Sequence, residues 1–321
     1  MQRLSLGPFK DMQFNKINMN YHLVTFFQQH LNLQDAAFIL IDHEDAMVAT
    51  VYKVMLSNGT KLILKIHERL NDYFREIYFL KYFADKLPVP RIVEAVQPDR
   101  GTCGAILMEY LPGALLKETE FTTSLAYELG SQLACIHLNR IPTYGDPIQR
   151  DHLSNDPRAY FTFKFKEGLD ECRNHLPKKL IEQCQSYYDA HLDLLNSVDG
   201  PCMVHRDFRP GNLIIYNGKL QGIIDWAGAR ASFAEEDFCL LEHGGWPNNP
   251  NCKKSFLEGY ASIRPIPDYK DLMPFLRVNI AIATIGFTVK RGTWKNTHKR
   301  IYKFNRHFLE VFLQNVSFFS K

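Results

Sequence analysis

The sequence lacks a strong net charge of either sign. Its 321 residues include 38 Lys and Arg against 35 Asp and Glu, for a formal net charge of +3, and no five consecutive residues carry the same charge. This composition does not indicate a nucleic-acid partner. Hydrophobic residues make up 45% of the chain, the ordinary share for a folded globular protein, and the length suits one large domain or two lobes.

Long apolar segments and paired cysteines are also missing. Residues 1–14 lack the uninterrupted apolar core of a signal peptide, and the apolar stretch 280–289 is only about half of the ~20 residues that a membrane helix needs. The seven cysteines are odd in number and form no CxxC pair that would indicate zinc or thioredoxin chemistry. We therefore expect a cytoplasmic protein with reduced thiols and no membrane partner, either a monomer or a weak dimer.

The first third of the chain alternates β-rich segments with turn residues. The five segments predicted as strands are 36–42, 47–56, 60–66, 91–97 and 103–110. Between the third and the fourth, residues 68–86 are rich in helix formers and are followed by Pro88 and Pro90, which end a helix. The pattern predicts a five-stranded antiparallel sheet that carries one helix.

After Leu111-Pro112-Gly113 the pattern becomes mainly helical. The predicted helices are 125–138, 157–171, 177–198, 233–242, 253–261 and one long tract from residue 271 onward. A β insert at 203–225 interrupts them, and its turn Asn217-Gly218 predicts a hairpin. The sequence thus predicts an α+β protein whose second part is a helical lobe.

The strongest chemical signal is the segment 205–212, His-Arg-Asp-Phe-Arg-Pro-Gly-Asn, followed after one hairpin by Ile223-Ile224-Asp225-Trp226. Asp207 is an anionic group that can accept a proton, whereas Asn212 and Asp225 offer the hard oxygen ligands that magnesium prefers. The hairpin is expected to bring Asp207, Asn212 and Asp225 to one edge of the β insert. The segment resembles the catalytic loop of kinases.

Over nearly its whole length the chain resembles the aminoglycoside phosphotransferase and choline kinase family. That resemblance implies a protein kinase-like bilobal fold: a small five-stranded antiparallel N-lobe at 1–108 that binds nucleotide, and a mainly helical C-lobe at 109–321 with hinge, catalytic loop and acceptor pocket. It implies ATP and Mg²⁺ as cofactors. Asp207 would then orient or deprotonate the acceptor hydroxyl and Arg209 would steady the γ-phosphate, with Asn212 and Asp225 as metal ligands.

The first lobe contains the partners that such a loop requires. Lys65 lies among apolar residues of the third predicted strand, and Glu76 lies in the helix that follows. In kinases a lysine–glutamate pair holds the lysine against the α- and β-phosphates, although a lysine alone is also typical of an edge strand. We further expect backbone groups of Glu109 and Leu111 to meet the adenine, with Met108 behind the base.

Two features separate this chain from protein kinases. The turn at 43–50 contains no glycine, so the glycine-rich phosphate cover is missing. Only twelve positions separate Asp225 from Asp237, too few for the long segment on which protein kinases dock a polypeptide. Asp237 matches the family's aspartate that braces the catalytic loop, and Arg206 is expected to pair with a nearby carboxylate. A small-molecule hydroxyl acceptor is therefore favoured.

The acceptor itself is not defined by the sequence. Glu235, Glu236 and Glu242 are candidate contacts for a cationic acceptor such as an aminoglycoside. Antibiotic, amino alcohol, sugar and amino acid all stay open, as does the choice between ATP and GTP. The alternatives to a small-molecule kinase are a kinase-like nucleotide-binding regulator and a protein kinase.

Overall fold

The computed structural model describes residues 22–41, 49–99, 102–246 and 249–319. The chain divides into two compact units, Met1–Lys81 with Pro90–Leu111 and Tyr82–Val89 with Pro112–Lys321. Residues 82–89 thus belong to the second unit, whereas the sequence boundary at 108/109 had placed them in the first. The amino-terminal segment 1–14 and most of the glycine-free turn lie outside the described residues.

The first unit is built on the five-stranded antiparallel sheet that the sequence predicts. Its strands are β1 (Ala37–Leu40), β2 (Ala49–Met55), β3 (Lys61–His67), β4 (Ile92–Val96) and β5 (Gly104–Glu109). In the sheet they lie in the order β1-β2-β3-β5-β4. Strand β3 is therefore central, and its Lys65 lies opposite Val51 on one side and Ile106 on the other.

A helix that the sequence analysis did not predict, α1 at residues 22–30, contributes to the core of this unit. Its Phe27 is fully buried in one cluster with Leu64 of β3 and Leu107 of β5. Because strand side chains alternate between faces, one set of strand residues supplies this core. The sheet and α1 together bury a continuous apolar layer.

Helix α2 (Leu70–Phe83) is the helix that the sequence predicts after the third strand. Asp72 in its first turn and Lys81 in its last turn suit the helix dipole. The ring of Tyr73 fills the space beside Gly104, where an added Cβ would lie 2.7 Å from that ring. Glycine at the start of β5 therefore lets α2 approach the sheet closely.

The second unit is mainly helical, as predicted. Its helices are α3 (Thr123–His137), α4 (Pro157–Cys172), α5 (Lys178–His191), α6 (Glu235–Leu240), α7 (Pro250–Ala261), α8 (Met273–Lys290) and α9 (Lys299–Phe319). Side-chain caps begin several of them; for example, the Thr122 hydroxyl accepts from the Leu125 amide and the Asp156 carboxylate from the Arg158 amide. None of the helices in the described part of the chain is long and apolar enough to cross a membrane.

Helices α3 and α7 cross at very short range through two glycines. A Cβ on Gly130 of α3 would lie 1.9 Å from the carbonyl oxygen of Phe256, and one on Gly259 of α7 would lie 1.9 Å from that of Tyr127. Backbone then occupies the space of a side chain at both positions. This contact brings the end of α3 beside α7.

The prediction of one long helix from residue 271 onward is wrong. Helix α8 ends in a Schellman motif, since Gly292 adopts φ +68° and its N–H donates to Val289, while the N–H of Thr293 donates to Thr288. The sequence Lys290-Arg291-Gly292 contains the signal for this ending, basic residues followed by glycine. Among the residues that the structure describes, four α-helices therefore follow the β insert where three were predicted.

In the described part of the second unit, five short strands accompany the helices. They are β6 (Ala114–Leu115), β7 (Cys202–Val204), β8 (Leu213–Tyr216), β9 (Lys219–Ile223) and β10 (Arg230–Ser232). The predicted hairpin is β8–β9, and its turn residues Asn217 and Gly218 both have positive φ, as a type I′ turn requires. Strand β10 pairs with β7 and was not predicted.

Candidate active site

The predicted lysine–glutamate pair forms inside the first unit. Lys65 Nζ lies 2.6 Å from Glu76 Oε2, and the two side chains are 10% and 2% exposed. His67 Nε2 lies 3.3 Å from the same oxygen. A buried charge needs a partner of opposite sign, so the pair fixes the lysine in place. Because β3 is a central strand, the edge-strand explanation for Lys65 does not hold.

The residues predicted to meet the adenine lie at the end of β5. Met108 is buried, and the backbone N–H of Glu109 donates to the Arg91 carbonyl at 2.9 Å. The N–H of Glu109 is therefore not available to an adenine. The backbone groups left for the predicted contact with the base are the carbonyl of Glu109 and the N–H of Leu111, and this contact stays a prediction.

The catalytic-loop segment of the second unit runs from the end of β7 into β8. The Asn212 side-chain amide donates to the Asp207 carboxylate at 2.7 Å and to the Asp207 carbonyl at 2.9 Å. Arg209 Nε donates to the other carboxylate oxygen at 2.9 Å. Both oxygens of Asp207 are thus oriented, while its side chain keeps 34% exposure, enough for a reactant to reach it.

The His205 ring joins this loop to the segment that precedes Asp225. Its Nδ1 accepts from the Asp207 amide, and its Nε2 donates to the Ile224 carbonyl, each at 3.2 Å. Burial lowers the pKa of His205, so a neutral ring with its proton on Nε2 satisfies both contacts. The Ile224 amide in turn donates to the Asn212 carbonyl at 3.0 Å. The structure therefore brings Asp207 and Asn212 together with the backbone of Ile224, the residue before Asp225.

Two non-glycine residues of this site adopt the left-handed backbone region. Asp225 has φ +64° and Arg206 has φ +65°. Such a conformation costs on the order of 1 kcal/mol or more for each residue, and it persists only where surrounding contacts hold it. Strain of this kind is concentrated at functional sites, which adds to the case for Asp225.

Trp226, directly after Asp225, is a packing residue. It is fully buried, and its ring lies 4.8 Å from Phe83 and 4.4 Å from His205, measured between centroids. Its Nε1 donates to the Ile223 carbonyl at 3.0 Å. The indole therefore supports the loop and offers no face to a ligand.

Asp237 braces the loop as the sequence predicts. Its two carboxylate oxygens accept from the backbone amides of His205 and Arg206, at 2.9 and 2.6 Å. Burial alone would raise the pKa of this carboxyl, but hydrogen bonds from His137 and the loop outweigh burial and hold the pKa below its ordinary value. The charged form holds the left-handed residue Arg206 in place.

Glu236, the residue before Asp237, binds the side chain of Arg206. Arg206 Nε donates to Glu236 at 2.8 Å, so the expected pairing of Arg206 with a carboxylate is confirmed. Ser232 also donates to Glu236 at 2.8 Å, and Arg230 forms a further, very short ion pair with it. Glu236 is 6% exposed and fully committed to these partners.

The structure does not support Glu235 and Glu236 as contacts for an acceptor. Glu235 is 2% exposed, and both of its oxygens accept from the Asp199 amide, at 2.9 and 3.2 Å. Burial raises the pKa of Glu235 to about 7. Both carboxylates are buried and hydrogen-bonded to groups of the second unit, so neither faces solvent. Glu242 is half-buried and bound by Lys253 and Tyr269, and its role toward an acceptor stays a prediction.

Two buried residues behind Asp237, His137 and Tyr260, are not predicted from the sequence. His137, at the end of α3, places Nε2 3.0 Å from Asp237 and Nδ1 2.8 Å from the Tyr260 hydroxyl. Since a carboxylate only accepts, the proton of this neutral ring lies on Nε2 and Tyr260 donates to Nδ1. A histidine that ends an apolar helix carries no signal in one sequence that would link it to a loop far along the chain.

The donor set fits a magnesium ion. Within the described residues no group of three or more His, Cys, Asp or Glu forms a metal cage. Magnesium bound with a nucleotide instead takes one or two protein oxygens and completes its shell with phosphate and water. Asp225 supplies a carboxylate, and Asn212 uses its side-chain nitrogen toward Asp207, which leaves its oxygen for a hard cation.

Residues 43–275 match the model of the phosphotransferase enzyme family, named APH. This match covers more than half of the sequence, so the chain belongs to that family. The predicted class of enzyme, a kinase-like phosphotransferase, is confirmed at the level of the family.

Similar proteins are found among kinases and antibiotic phosphotransferases. A homoserine kinase of Gluconobacter oxydans is 26% identical over 204 residues, which are 60% of each protein, so the chain spans about 60% of that relative's length. The human serine/threonine-protein kinase STK11 is 32% identical over 81 residues, 24% of this chain and 19% of that protein.

Solved structures agree in fold. The aminoglycoside phosphotransferase APH(4)-Ia, in a ternary complex with AMP-PNP and hygromycin B, superposes with a TM-score of 0.64 at 12% identity, over 87% of this chain and 93% of that one. A gentamicin–APH(2″)-IIa complex gives 0.63 at 16% identity, over 96% and 97%. At such identities the likeness shows the fold alone, and it confirms the predicted kinase-like α+β class.

Proposed function

We propose that this protein is an ATP- and Mg²⁺-dependent phosphotransferase that moves the γ-phosphate to a hydroxyl of a small molecule. The observation that carries the proposal is the hydrogen-bonded joining of Asp207 and Asn212, directly and through His205, to the backbone of Ile224, the residue before Asp225. A proton acceptor and two oxygen ligands for a cation are held within one small set of contacts. That combination is what phosphoryl transfer requires.

Asp207 orients the acceptor hydroxyl and receives its proton. Its carboxylate is positioned by Arg209 and Asn212, so little reorientation is needed when the acceptor binds. Phosphoryl transfer gains mostly from positioning and from charge stabilisation, and Asp207 serves the first of these. Arg209 is the adjacent cation and steadies the γ-phosphate in this scheme.

Within the first unit, Lys65, held by Glu76, is the proposed contact for the α- and β-phosphates of a nucleotide. Within the second unit, Asn212 and Asp225 are the proposed ligands of a magnesium ion. The ion supplies neutralisation of charge on the phosphates. The neighbouring structures with AMP-PNP support a nucleotide for this fold.

The acceptor is a small hydroxyl compound such as an amino acid, amino alcohol or sugar. Residues 229–234, between Asp225 and the start of α6, are buried, so no exposed segment is present there to dock a peptide. A homoserine kinase among the relatives favours a hydroxy amino acid. An aminoglycoside is the second candidate, supported by the fold and weakened by the burial of Glu235 and Glu236.

An ATP-consumption screen tests the proposal. The purified chain is incubated with ATP, Mg²⁺ and homoserine, choline, simple sugars, hygromycin B or gentamicin in parallel. We expect one class to raise ATP turnover and Asp207→Asn to reduce that increase by about 100-fold or more. The matched control is Asp268→Asn, which alters an exposed aspartate of the second unit and should leave turnover unchanged.

A second variant tests the metal ligands. Asp225→Ala removes the only charged side chain of the two proposed ligands and should abolish Mg²⁺-dependent turnover, whereas Asn212→Ala should weaken it less. Retained turnover in Asp225→Ala would contradict the metal assignment. Labelled ATP that marks proteins of a mixed extract, with no response to small hydroxyl compounds, would favour a protein kinase. Nucleotide binding without any transfer would favour a regulator.

A further inference from the structure

One segment of the chain is far more basic than the rest. Between residues 290 and 306 there are seven Lys and Arg and no Asp or Glu, although the whole chain has a net charge of only +3. The remainder is therefore net negative. The segment covers the end of α8, the loop after it and the first half of α9, all in the second unit. The candidate active site uses none of these residues.

Part of this segment forms a groove of about 630 Å³. Its lining comprises two aromatic residues, four basic residues, one histidine and one glutamate: Trp294, Lys295, Lys299, Tyr302, Lys303, Arg306, His307 and Glu310. The two aromatic rings lie 5.2 Å apart between centroids. Lys299, Lys303 and Arg306 are spaced four and three positions apart, so they lie along one face of α9 over about 10 Å. We call this feature the α9 groove.

The cations of the α9 groove are poorly neutralised. Arg306 pairs with Glu310 at 2.8 Å, whereas within the described residues neither Lys299 nor Lys303 forms an ion pair. Like charges four positions apart destabilise a helix, and Lys299 also begins α9, whose first turn contains no acidic residue. Both effects are relieved when an anion binds among these side chains.

We propose that the α9 groove binds a small compound that carries several phosphate groups. Clustered lysines act as point charges for phosphate, and the arginine offers a fork of donors. The volume lies in the range of small-molecule sites, and Trp294 provides an aromatic wall on which a flat ring can stack. A nucleotide and an inorganic polyphosphate share this chemistry. The site is independent of the proposed phosphotransferase reaction.

Calorimetric titration of the full chain with inorganic triphosphate, without Mg²⁺, tests the proposal. We expect binding that weakens by about 100-fold or more in Lys299→Gln/Lys303→Gln, the scale of two lost charge-assisted hydrogen bonds. The matched control is Lys178→Gln/Lys179→Gln on α5, which removes the same charge from an exposed surface and should change the affinity less than about twofold. Quenching of Trp294 fluorescence, absent in Trp294→Phe, reports a ligand with a ring such as ADP.

Several results would overturn the proposal. If Lys65→Met abolishes triphosphate binding and the α9 double variant does not, the ligand occupies the nucleotide site instead. Equal weakening in the α5 control would show a general charge effect. Absence of triphosphate binding, or binding of duplex DNA or anionic vesicles alone, would also contradict a small-molecule site. Stronger binding of ADP than of triphosphate, with quenching of Trp294 fluorescence that Trp294→Phe lacks, would instead support the proposal and identify the ligand as a nucleotide.

Discussion

The two units organise buried charge in different ways. In the first unit one carboxylate, Glu76, meets one lysine, and the contact is local to a strand and a helix. In the second unit Glu236 and Asp237 hold a whole loop through backbone amides and guanidinium groups. The first arrangement places one functional cation, whereas the second maintains a strained backbone. Loss of a partner should therefore affect ligand affinity in the first unit and folding in the second.

The largest expected effect is that of Asp237→Ala on stability. The change leaves the buried amides of His205 and Arg206 without their acceptor and removes the partner of His137. We expect the free energy of unfolding, measured in urea, to fall by about 3–5 kcal/mol, the range for breaking a buried network of charge.

The control for this change is Asp268→Ala, an exposed aspartate that should stay within about 0.5 kcal/mol of wild type. If Asp237→Ala fails to fold, Asp237→Asn serves in its place. It keeps one acceptor oxygen, so its free energy of unfolding should fall by less than that of Asp237→Ala. A loss near that of Asp268→Ala would show that the loop does not depend on its brace.

The next effect in size is that of Asp207→Asn on turnover. Asparagine keeps the size of the side chain and part of its hydrogen bonding, but it cannot take the proton of the acceptor. Turnover should drop by ~100-fold or more, the scale of general bases, while ATP affinity stays near wild type. Steady-state kinetics and a separate nucleotide titration measure the two quantities. Turnover close to wild type with a verified acceptor would be incompatible with the kinase-loop assignment.

The loop and the sheet were accessible from sequence because their signals are local. Alternation, the Asn217-Gly218 turn and the spacing from Asp207 to Asn212 each depend on a few neighbouring residues. The orientation of Glu235 and Glu236 was not accessible, since an acidic pair at a helix start is normally solvated and only the burial of α6 reverses this. The link from His137 to Asp237 joins distant positions, so one sequence contains no trace of it.

A moderate effect is expected for Glu76→Gln on nucleotide affinity. The change leaves the buried Lys65 without its anionic partner, although a hydrogen bond to the amide remains possible. The lysine then loses its fixed position, and ATP affinity should fall about tenfold, the scale of one charged hydrogen bond. Turnover at saturating ATP should change less. Glu94→Gln, an exposed glutamate of β4, is the matched control. If Glu76→Gln greatly lowered the free energy of unfolding but left ATP affinity unchanged, the first unit would respond to a lost partner as the second unit is expected to do.

The smallest effect concerns Glu235. Of the three carboxylates in the first turn of α6, Glu235, Glu236 and Asp237, it is the one whose pKa is raised. Burial raises that pKa to about 7 from an ordinary value of 4.5. The folded state therefore holds a proton that the unfolded state has lost, so this contribution to stability is present at low pH and disappears as the pH rises through 7.

Glu235→Gln mimics the protonated form at every pH. In urea unfolding at pH 6 and pH 8, the stability of the variant relative to wild type should increase by about 1 kcal/mol between the two values. Because Glu236 and Asp237 are present in both proteins, their depressed pKa values cancel in this difference. A difference that stays constant over this range would mean that Glu235 is already ionised in the folded protein.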